Sequence, residues 1–401
     1  MTETTPLTPI PPRSVLFHVG AMKSGTTAVQ RAAHRRRSEL REHGVRYPGP
    51  AVNHFTPVAA FMGLRREGEL PDPATWHELM SRVHAEQDRR VLLSHEWACE
   101  ADEETVGRFA EALGERLHVV ITLRPLSGLL GSYWQEIVKN GQAAPPFGEW
   151  LREALATPPG ARQNTQWDRQ SDQAGMVRRW ERALGPERVT VVIADKADPA
   201  RVPSSLEQLL DLPAGTLTAA GTDGGTANRS LSPAEAEFFR RQNHAFRRNR
   251  VPFREYALDY RRRSVARLLA TEPAPSAGRI VLPQWAAEQA TIHGREIAEQ
   301  IATSGARVVG DLAALHAPVT SAVPGELPVP ESIPIDGAVE AVVASVLVGT
   351  GREGTKGATP ARRTRTETIK ERVRALPGGR TALRGARAAR RRLADRGANA
   401  S

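Results

Sequence analysis

Short apolar runs alternate with longer helical patterns along most of this 401-residue chain, and this alternation restricts its fold more than any other feature. The apolar runs have strand length and lie at 14–20, 90–94, 117–123 and 188–194. Helical patterns separate or follow them at 25–43, 102–113, 125–139 and 171–184. Further helices are expected at 203–211, 233–247 and 282–303, and weaker strands at 45–48 and 306–312. Because strands joined by helices pair in parallel, the sequence predicts an α/β fold with a parallel central sheet.

The composition divides the chain into regions. Residues 1–13 are rich in threonine and proline and predict a disordered N-terminus, and we expect the folded domain to span 14–316. Five prolines between 317 and 336 are typical of a linker. Residues 337–401 are predicted to be a basic C-terminal extension. Helices within this extension are expected at 337–350 and, on binding a partner, at 381–396.

The excess of positive over negative charge lies entirely in the C-terminal 50 residues. The net charge is +10, from 55 Lys+Arg and 45 Asp+Glu. Residues 352–401 hold 15 of the basic and 4 of the acidic residues, which leaves 40 basic and 41 acidic residues elsewhere. The overall charge therefore says nothing about ligands of the folded domain. The extension is suited to an anionic surface, and its lack of aromatic residues argues against nucleic acid as a partner.

The apolar runs, the N-terminus and the cysteine content are those expected of an ordinary intracellular enzyme. No apolar run reaches the ~18 residues of a membrane-spanning helix, and the N-terminus lacks a signal-peptide pattern. We therefore expect a cytoplasmic protein. The single cysteine, Cys99, excludes a disulfide framework and a cysteine-based zinc site.

A glycine-rich turn follows the first predicted strand. Residues 20–27 read GAMKSGTT and lead into a helix, so backbone N–H groups and the helix dipole would face an anion. The nucleotide-triphosphate version of this loop is GxxxxGK[ST]. Gly20 and Gly25 fit that pattern, but Thr26 occupies the lysine position and the lysine is Lys23. This departure argues against an Mg-ATP or GTP site and implies a shorter anion.

A second anion-binding pattern follows the strand at 117–123. Arg124 stands at its carboxyl end, where ligands bind in open α/β sheets. Ser132 and Lys139 come next, each about two helical turns further on. Two anion sites at neighbouring strand ends indicate a nucleotide with phosphates at both ends.

These residues resemble the PAPS-dependent sulfotransferase family, and bacterial members most closely (PAPS is 3′-phosphoadenosine-5′-phosphosulfate). The resemblance rests on GAMKSGTT together with Arg124 and Ser132, and it spans roughly residues 14–315. It continues through residues 134–136, 139–141, 167–168, 228–231, 282–283 and 308–312. It implies a three-layer α/β/α fold related to the P-loop nucleotide kinases. It also implies metal-independent sulfuryl transfer from PAPS to a hydroxyl, in preference to an amine.

The resemblance assigns roles to individual residues. Lys23 would touch the transferred group, the residues after it would bind the 5′-phosphate, and Arg124 and Ser132 would bind the 3′-phosphate. Animal cytosolic members carry tryptophan where Ala28 stands, and an Arg-Lys-Gly signature that this chain lacks. Two further cations are therefore added as candidate phosphate contacts. The residues expected to hold the donor are Lys23, Ser24, Gly25, Thr26, Thr27, Arg124, Ser132, Lys139 and Arg229.

Three residues are candidates for the general base that deprotonates the acceptor. Family members carry a histidine or a glutamate at the end of the strand that precedes the Arg motif, and this chain has both His95 and Glu96. Strand alternation predicts that the two side chains lie on opposite faces. The resemblance favours Glu96, and His54 is a third candidate.

The acceptor itself is not fixed by the sequence. Contacts with it are predicted from Tyr133, Trp134, Trp167 and Asp168. A small molecule, a glycan and a lipid all remain open as acceptors. Two alternative functions also remain open: a nucleotide kinase or NTPase on the same fold, and a non-catalytic sulfotransferase-like binding module.

Overall fold

Six parallel strands form one sheet at the centre of the described part of the chain. The computed structural model describes residues 7–22, 24–65, 69–218, 229–253, 256, 265–266, 268–269, 278–333, 335, 338–339 and 343. The strands are β1 (Val15–Gly20), β2 (Val45–Arg46), β3 (Arg90–Ser94), β4 (Leu117–Leu123), β5 (Val189–Ile193) and β6 (Arg307–Val309). Their order in the sheet is β2-β3-β1-β4-β5-β6. The strands β1 and β4, which precede the two anion-binding patterns, are therefore neighbours.

Helices connect the strands and cover the sheet. Those that precede β4 are α1 (Thr26–Arg35), α2 (Arg37–Glu42), α3 (Phe55–Met62), α4 (Ala74–His84) and α5 (Glu103–Leu113). Those that follow it are α6 (Leu126–Lys139), α7 (Phe147–Leu155), α8 (Gln166–Ser171), α9 (Gln173–Leu184), α10 (Arg201–Leu210), α11 (Pro233–Arg248) and α12 (Gln284–Ala302). Short 3₁₀ turns lie at Glu96–Glu100, Gly114–Arg116, Pro186–Arg188 and Leu312–His316.

The central strand β1 is buried along its whole length and divides the core into two layers. Phe17 and Val19 face a core with α5, α6 and α9, whereas Leu16 faces a smaller core with α1 and α10. A buried strand with apolar residues on both faces is what helices on both sides of a sheet require. The predicted three-layer α/β/α arrangement with a parallel sheet is therefore confirmed.

The elements differ from the sequence prediction mainly in the first half of the chain. The helix expected at 25–43 is broken at Arg36, whose backbone leaves the helical region, into α1 and α2. The expected stop is present, since Gly44 has a φ of 73°. The helices α3, α4, α7 and α8 were not predicted. The predicted helices at 337–350 and 381–396 lie wholly or mostly outside the described residues.

Two segments predicted to be disordered or linking contact the folded body where they are described. Ile10 is buried and its N–H donates to the Leu209 carbonyl at 2.9 Å. Val323 pairs with the segment before α12, where its carbonyl accepts from the Gln284 N–H at 2.8 Å. Among the described residues, no helix combines the length and apolar character needed to cross a membrane.

Candidate functional site

The turn after β1 is closely packed beneath its backbone. Any side chain at Gly20 would collide with the hydroxyl of Thr122 on β4 and lie 2.8 Å from that of Ser24. The Ser24 hydroxyl is turned inward, donating to the Ala21 carbonyl at 2.6 Å and bonding Thr122 Oγ1 at 2.7 Å. Ser24 is therefore engaged within the turn on both counts, since its backbone N–H also donates to the Ala21 carbonyl, at 3.2 Å.

The turn leads directly into α1, and part of the first turn of this helix is accessible to a ligand. Gly25 precedes the helix with a φ of 95°, a conformation that favours glycine, and no side chain of the described residues caps α1. Thr26 is buried against the turn, whereas Thr27 is exposed in the first turn of the helix. An uncapped helix N-terminus presents N–H donors and a positive dipole, which suits a phosphate. Lys23 lies outside the described residues.

The second anion-binding pattern is assembled on one face of α6. Arg124 follows β4, and its guanidinium lies across Gly128, where an added Cβ would be 2.5 Å from Nη2. Ser132, one turn further on, donates from Oγ to the Gly128 carbonyl at 3.2 Å. Burial lowers the pKa of Arg124, a desolvation that an anionic ligand would offset. The structure thus brings Arg124 and Ser132 together, beside the strand that carries the first turn.

The two additional cations pair with nearby carboxylates. Lys139 is at the far end of α6, roughly 20 Å along the helix from Arg124, and its Nζ lies 3.5 Å from Glu136. Arg229 makes a bidentate pair with Glu235 at 2.8 and 2.9 Å, and Glu235 closes a capping box with Ser232 at the start of α11. Lys139 therefore lies at the opposite end of α6 from Arg124, and Arg229 is engaged at the start of α11.

The base candidates His95 and Glu96 lie side by side, not on opposite faces as alternation predicted. The strand ends at Ser94 and Glu96 opens a 3₁₀ turn, so His95 Nδ1 comes within 3.4 Å of Glu96 Oε2. The other ring nitrogen of His95, Nε2, has no hydrogen-bond partner among the described residues. The His95 side chain is 2% exposed and that of Glu96 is 20% exposed, so Glu96 is the one open to a ligand.

The pKa of Glu96 is set by opposing effects. Burial favours the neutral acid, but His95 and the side-chain amide of Gln30, which donates at 3.1 Å, favour the carboxylate. The second group of effects is larger and lowers the pKa to about 2. Glu96 is therefore deprotonated at neutral pH and can accept a proton, although so low a pKa makes it a weak base.

The third base candidate, His54, has both ring nitrogens engaged by backbone groups. Its Nδ1 accepts from the Ser94 N–H at 3.1 Å, and its Nε2 donates to the Pro48 carbonyl at 3.0 Å. Burial lowers its pKa to about 4. These bonds hold the start of α3 against the end of β3.

A cleft lies between the β1 turn and the helices α6 and α8. It is lined by Met22, Leu129, Ser132, Tyr133, Glu136, Trp167 and Gln170. Of the predicted acceptor contacts, Tyr133 and Trp167 line this cleft. Trp134 instead donates to the Pro145 carbonyl at 3.1 Å, and Asp168 pairs with Arg162 at 2.8 Å and caps α8.

Sequence reasoning missed several buried polar residues around the site. His18 lies in the middle of β1, Thr122 near the end of β4 and Gln30 on α1, all fully buried. Glu100 is buried behind the cleft, where Gln166 and Gln170 donate to it at 2.5 and 2.7 Å, and burial raises its pKa. For His18 and Thr122 the available signal was a polar residue inside an otherwise apolar strand run, which is unusual unless the residue is hydrogen-bonded.

Comparisons with known proteins add little to this geometry. No protein-family model matches the sequence, and no curated protein matches it. Among solved structures, a sulfotransferase from Alicyclobacillus acidocaldarius is similar, with 19% identity and a TM-score of 0.37, over 61% of this chain and 95% of that one. A TM-score of that size assigns neither a common fold nor an activity.

Proposed function

We propose that this protein is a sulfotransferase that moves a sulfuryl group from PAPS to a hydroxyl group, in preference to an amine. The observation that carries the proposal is the pairing of two anion sites at adjacent strand ends. One is the uncapped turn after β1, and the other is Arg124 and Ser132 gathered over Gly128. A nucleotide with a 5′-phosphosulfate and a 3′-phosphate has one anionic group for each.

The residues support a transfer that depends on positioning and charge. The acceptor oxygen would bond to sulfur while the bond from sulfur to the 5′-phosphate oxygen breaks, and the acceptor proton would leave to a base. The N–H groups at the start of α1 would stabilise the leaving phosphate, together with Lys23 from its place in the sequence. Glu96 is the exposed member of the His95–Glu96 pair and would take the proton. A metal plays no part in this scheme.

The proposal also covers the acceptor, the compartment and the basic extension. The cleft beside Tyr133 and Trp167 is the proposed acceptor site, and a small molecule, a glycan or a lipid is its proposed occupant. We place the protein in the cytoplasm, and we assign the basic extension a contact with an anionic surface.

Calorimetric titration of the full chain with adenosine 3′,5′-bisphosphate, AMP and Mg-ATP tests the donor. We expect micromolar binding of the bisphosphate, much weaker binding of AMP, and loss of the difference in Arg124→Ala. The Arg124→Ala variant keeps the basic extension, so it also controls for non-specific attraction of phosphates to residues 352–401. Preference for Mg-ATP would favour a nucleotide kinase or NTPase, and no nucleotide binding would favour a non-catalytic module.

A further inference from the structure

We propose that His18 is a positioning residue that holds the donor-binding turn in shape. It does so as part of a row of hydrogen-bonded side chains across three strands, which consists of Gln30, Ser94, His18, Thr122 and Ser24. The inference rests on the proposed function for its meaning, because the turn it holds is the one assigned to the 5′-phosphosulfate. His18 touches neither the cleft nor solvent, with an exposure of 0%.

The row runs across the middle of the sheet on the face covered by α1. His18 on β1 is in register with Ser94 on β3, and its Nδ1 lies 3.1 Å from Ser94 Oγ. On the other side, Nε2 lies 3.4 Å from Thr122 Oγ1 on β4. Thr122 is in register with Gly20 and bonds Ser24 in the turn at 2.7 Å. A single imidazole therefore connects β3 with the turn that follows β1.

The bond from Ser24 to the Ala21 carbonyl, at one end of the row, fixes the directions of all the other bonds. The Ser24 hydroxyl donates to the Ala21 carbonyl, which can only accept, so Ser24 must accept from Thr122. The Thr122 hydroxyl has then used its one proton and must accept from Nε2–H of His18. The neutral imidazole with a proton on Nε2 leaves Nδ1 free to accept from Ser94.

The start of the row reaches the proposed base. Gln30 on α1 donates from Nε2 to Ser94 Oγ at 3.3 Å and to Glu96 Oε2 at 3.1 Å, one N–H for each. The bonds then run in one direction from Gln30 to the Ala21 carbonyl, without a conflict of donors or acceptors. Burial lowers the pKa of His18 to about 4, in agreement with the neutral ring that the row requires.

Two substitutions at position 18 separate the two halves of the row. His18→Gln places a side-chain N–H at the distance of Nε2 and keeps the bond to Thr122. His18→Asn places its amide at the distance of Nδ1 and keeps only the bond to Ser94. Both remove the ring and leave a polar side chain of similar character, so each controls for the packing defect of the other.

The experiment uses the full chain and two measurements: amide hydrogen exchange of residues 20–27 in the free protein, and calorimetric affinity for adenosine 3′,5′-bisphosphate. We expect His18→Asn to speed exchange in the turn and to weaken binding, each about tenfold, as for loss of one buried hydrogen bond. His18→Gln should stay within about threefold of wild type in both. Thr122→Val, which removes the hydroxyl and keeps the shape, should reproduce His18→Asn.

Equal effects of His18→Gln and His18→Asn on the exchange of the turn would overturn the inference, because ring volume and not the Thr122 bond would then matter. Unchanged exchange in His18→Asn would overturn it as well. If the wild-type protein binds no bisphosphate, the proposed function fails, while the exchange comparison still decides whether His18 positions the turn.

Discussion

The substitution Gly128→Ala should make the protein more stable and weaken its hold on the 3′-phosphate. Alanine is favoured over glycine inside a helix by about 1 kcal/mol, and Gly128 in α6 has no positive φ that would oppose the change. The new methyl group would lie 2.5 Å from Arg124 Nη2, so the guanidinium must move. That movement takes the cation from its place beside Ser132.

The expected magnitudes follow from these contacts. The free energy of unfolding should rise by up to about 1 kcal/mol. A charge-assisted hydrogen bond contributes about 1.5–3 kcal/mol, so the Kd for adenosine 3′,5′-bisphosphate should rise roughly 10- to 100-fold, while that for AMP stays unchanged. Calorimetry and thermal unfolding measure the two effects separately.

Gly131→Ala is the matched control on the same helix. The nearest side-chain atom to its new methyl group would be on Ile280 at 3.6 Å, an ordinary contact, so it should gain stability without losing affinity. Wild-type affinity of Gly128→Ala for the bisphosphate would refute the assignment of Arg124 to the 3′-phosphate. An equal loss for AMP would refute it too.

Three further predictions concern charge and protonation. Lys23→Ala should lower sulfuryl-transfer turnover about 10²–10³-fold. The control is Lys196→Ala, which replaces an exposed lysine after β5 and should leave turnover unchanged. Near wild-type turnover in Lys23→Ala would contradict the mechanism. Since folding lowers the pKa of Glu96 from 4.5 to about 2, its stabilisation is present above pH 4.5 and lost as the pH falls towards 2. Urea unfolding of Glu96→Gln should therefore show a shallower loss of stability in that window, and an unchanged slope would count against the low pKa. His18 and His54 are buried as neutral rings with pKa values of about 4, so stability should fall between pH 6.5 and 4, by up to about 3 kcal/mol for each. His54→Gln should flatten that fall, and a slope identical to wild type would show that His54 does not contribute.

The sheet could be predicted from sequence because its strands are apolar on both faces and short. Burial on both faces is the signature of a parallel sheet, and the four main runs became β1, β3, β4 and β5. The helices α3 and α7 were missed since each is short and carries buried aromatic or apolar residues without a long repeating pattern. Their position depends on tertiary packing that a local pattern does not contain.

The part of the site that is formed by residues close together in the sequence was predictable. Arg124 lies just before α6 and Ser132 lies on it, eight positions later, and the structure brings both to Gly128. The pairing of His95 with Glu96 was not predictable from alternation, because the strand ends at Ser94 and the chain turns at Glu96. Sequence also gave no hint that the Ser24 hydroxyl would be turned inward, since its partner Thr122 is 98 residues away.

The pairing of Val323 with the segment before α12 determines where this protein can be shortened. Its N–H donates to the Leu282 carbonyl at 3.0 Å, and Leu327, four residues later, packs on the main core. Glu326 meets Arg152 on α7 at 2.6 Å. Removing everything after residue 316 would expose apolar surface of the main core and leave Leu282 and Gln284 without their backbone partners. A truncation after residue 333 would keep these contacts and still remove most of the basic extension, which makes it the better starting point for crystallisation.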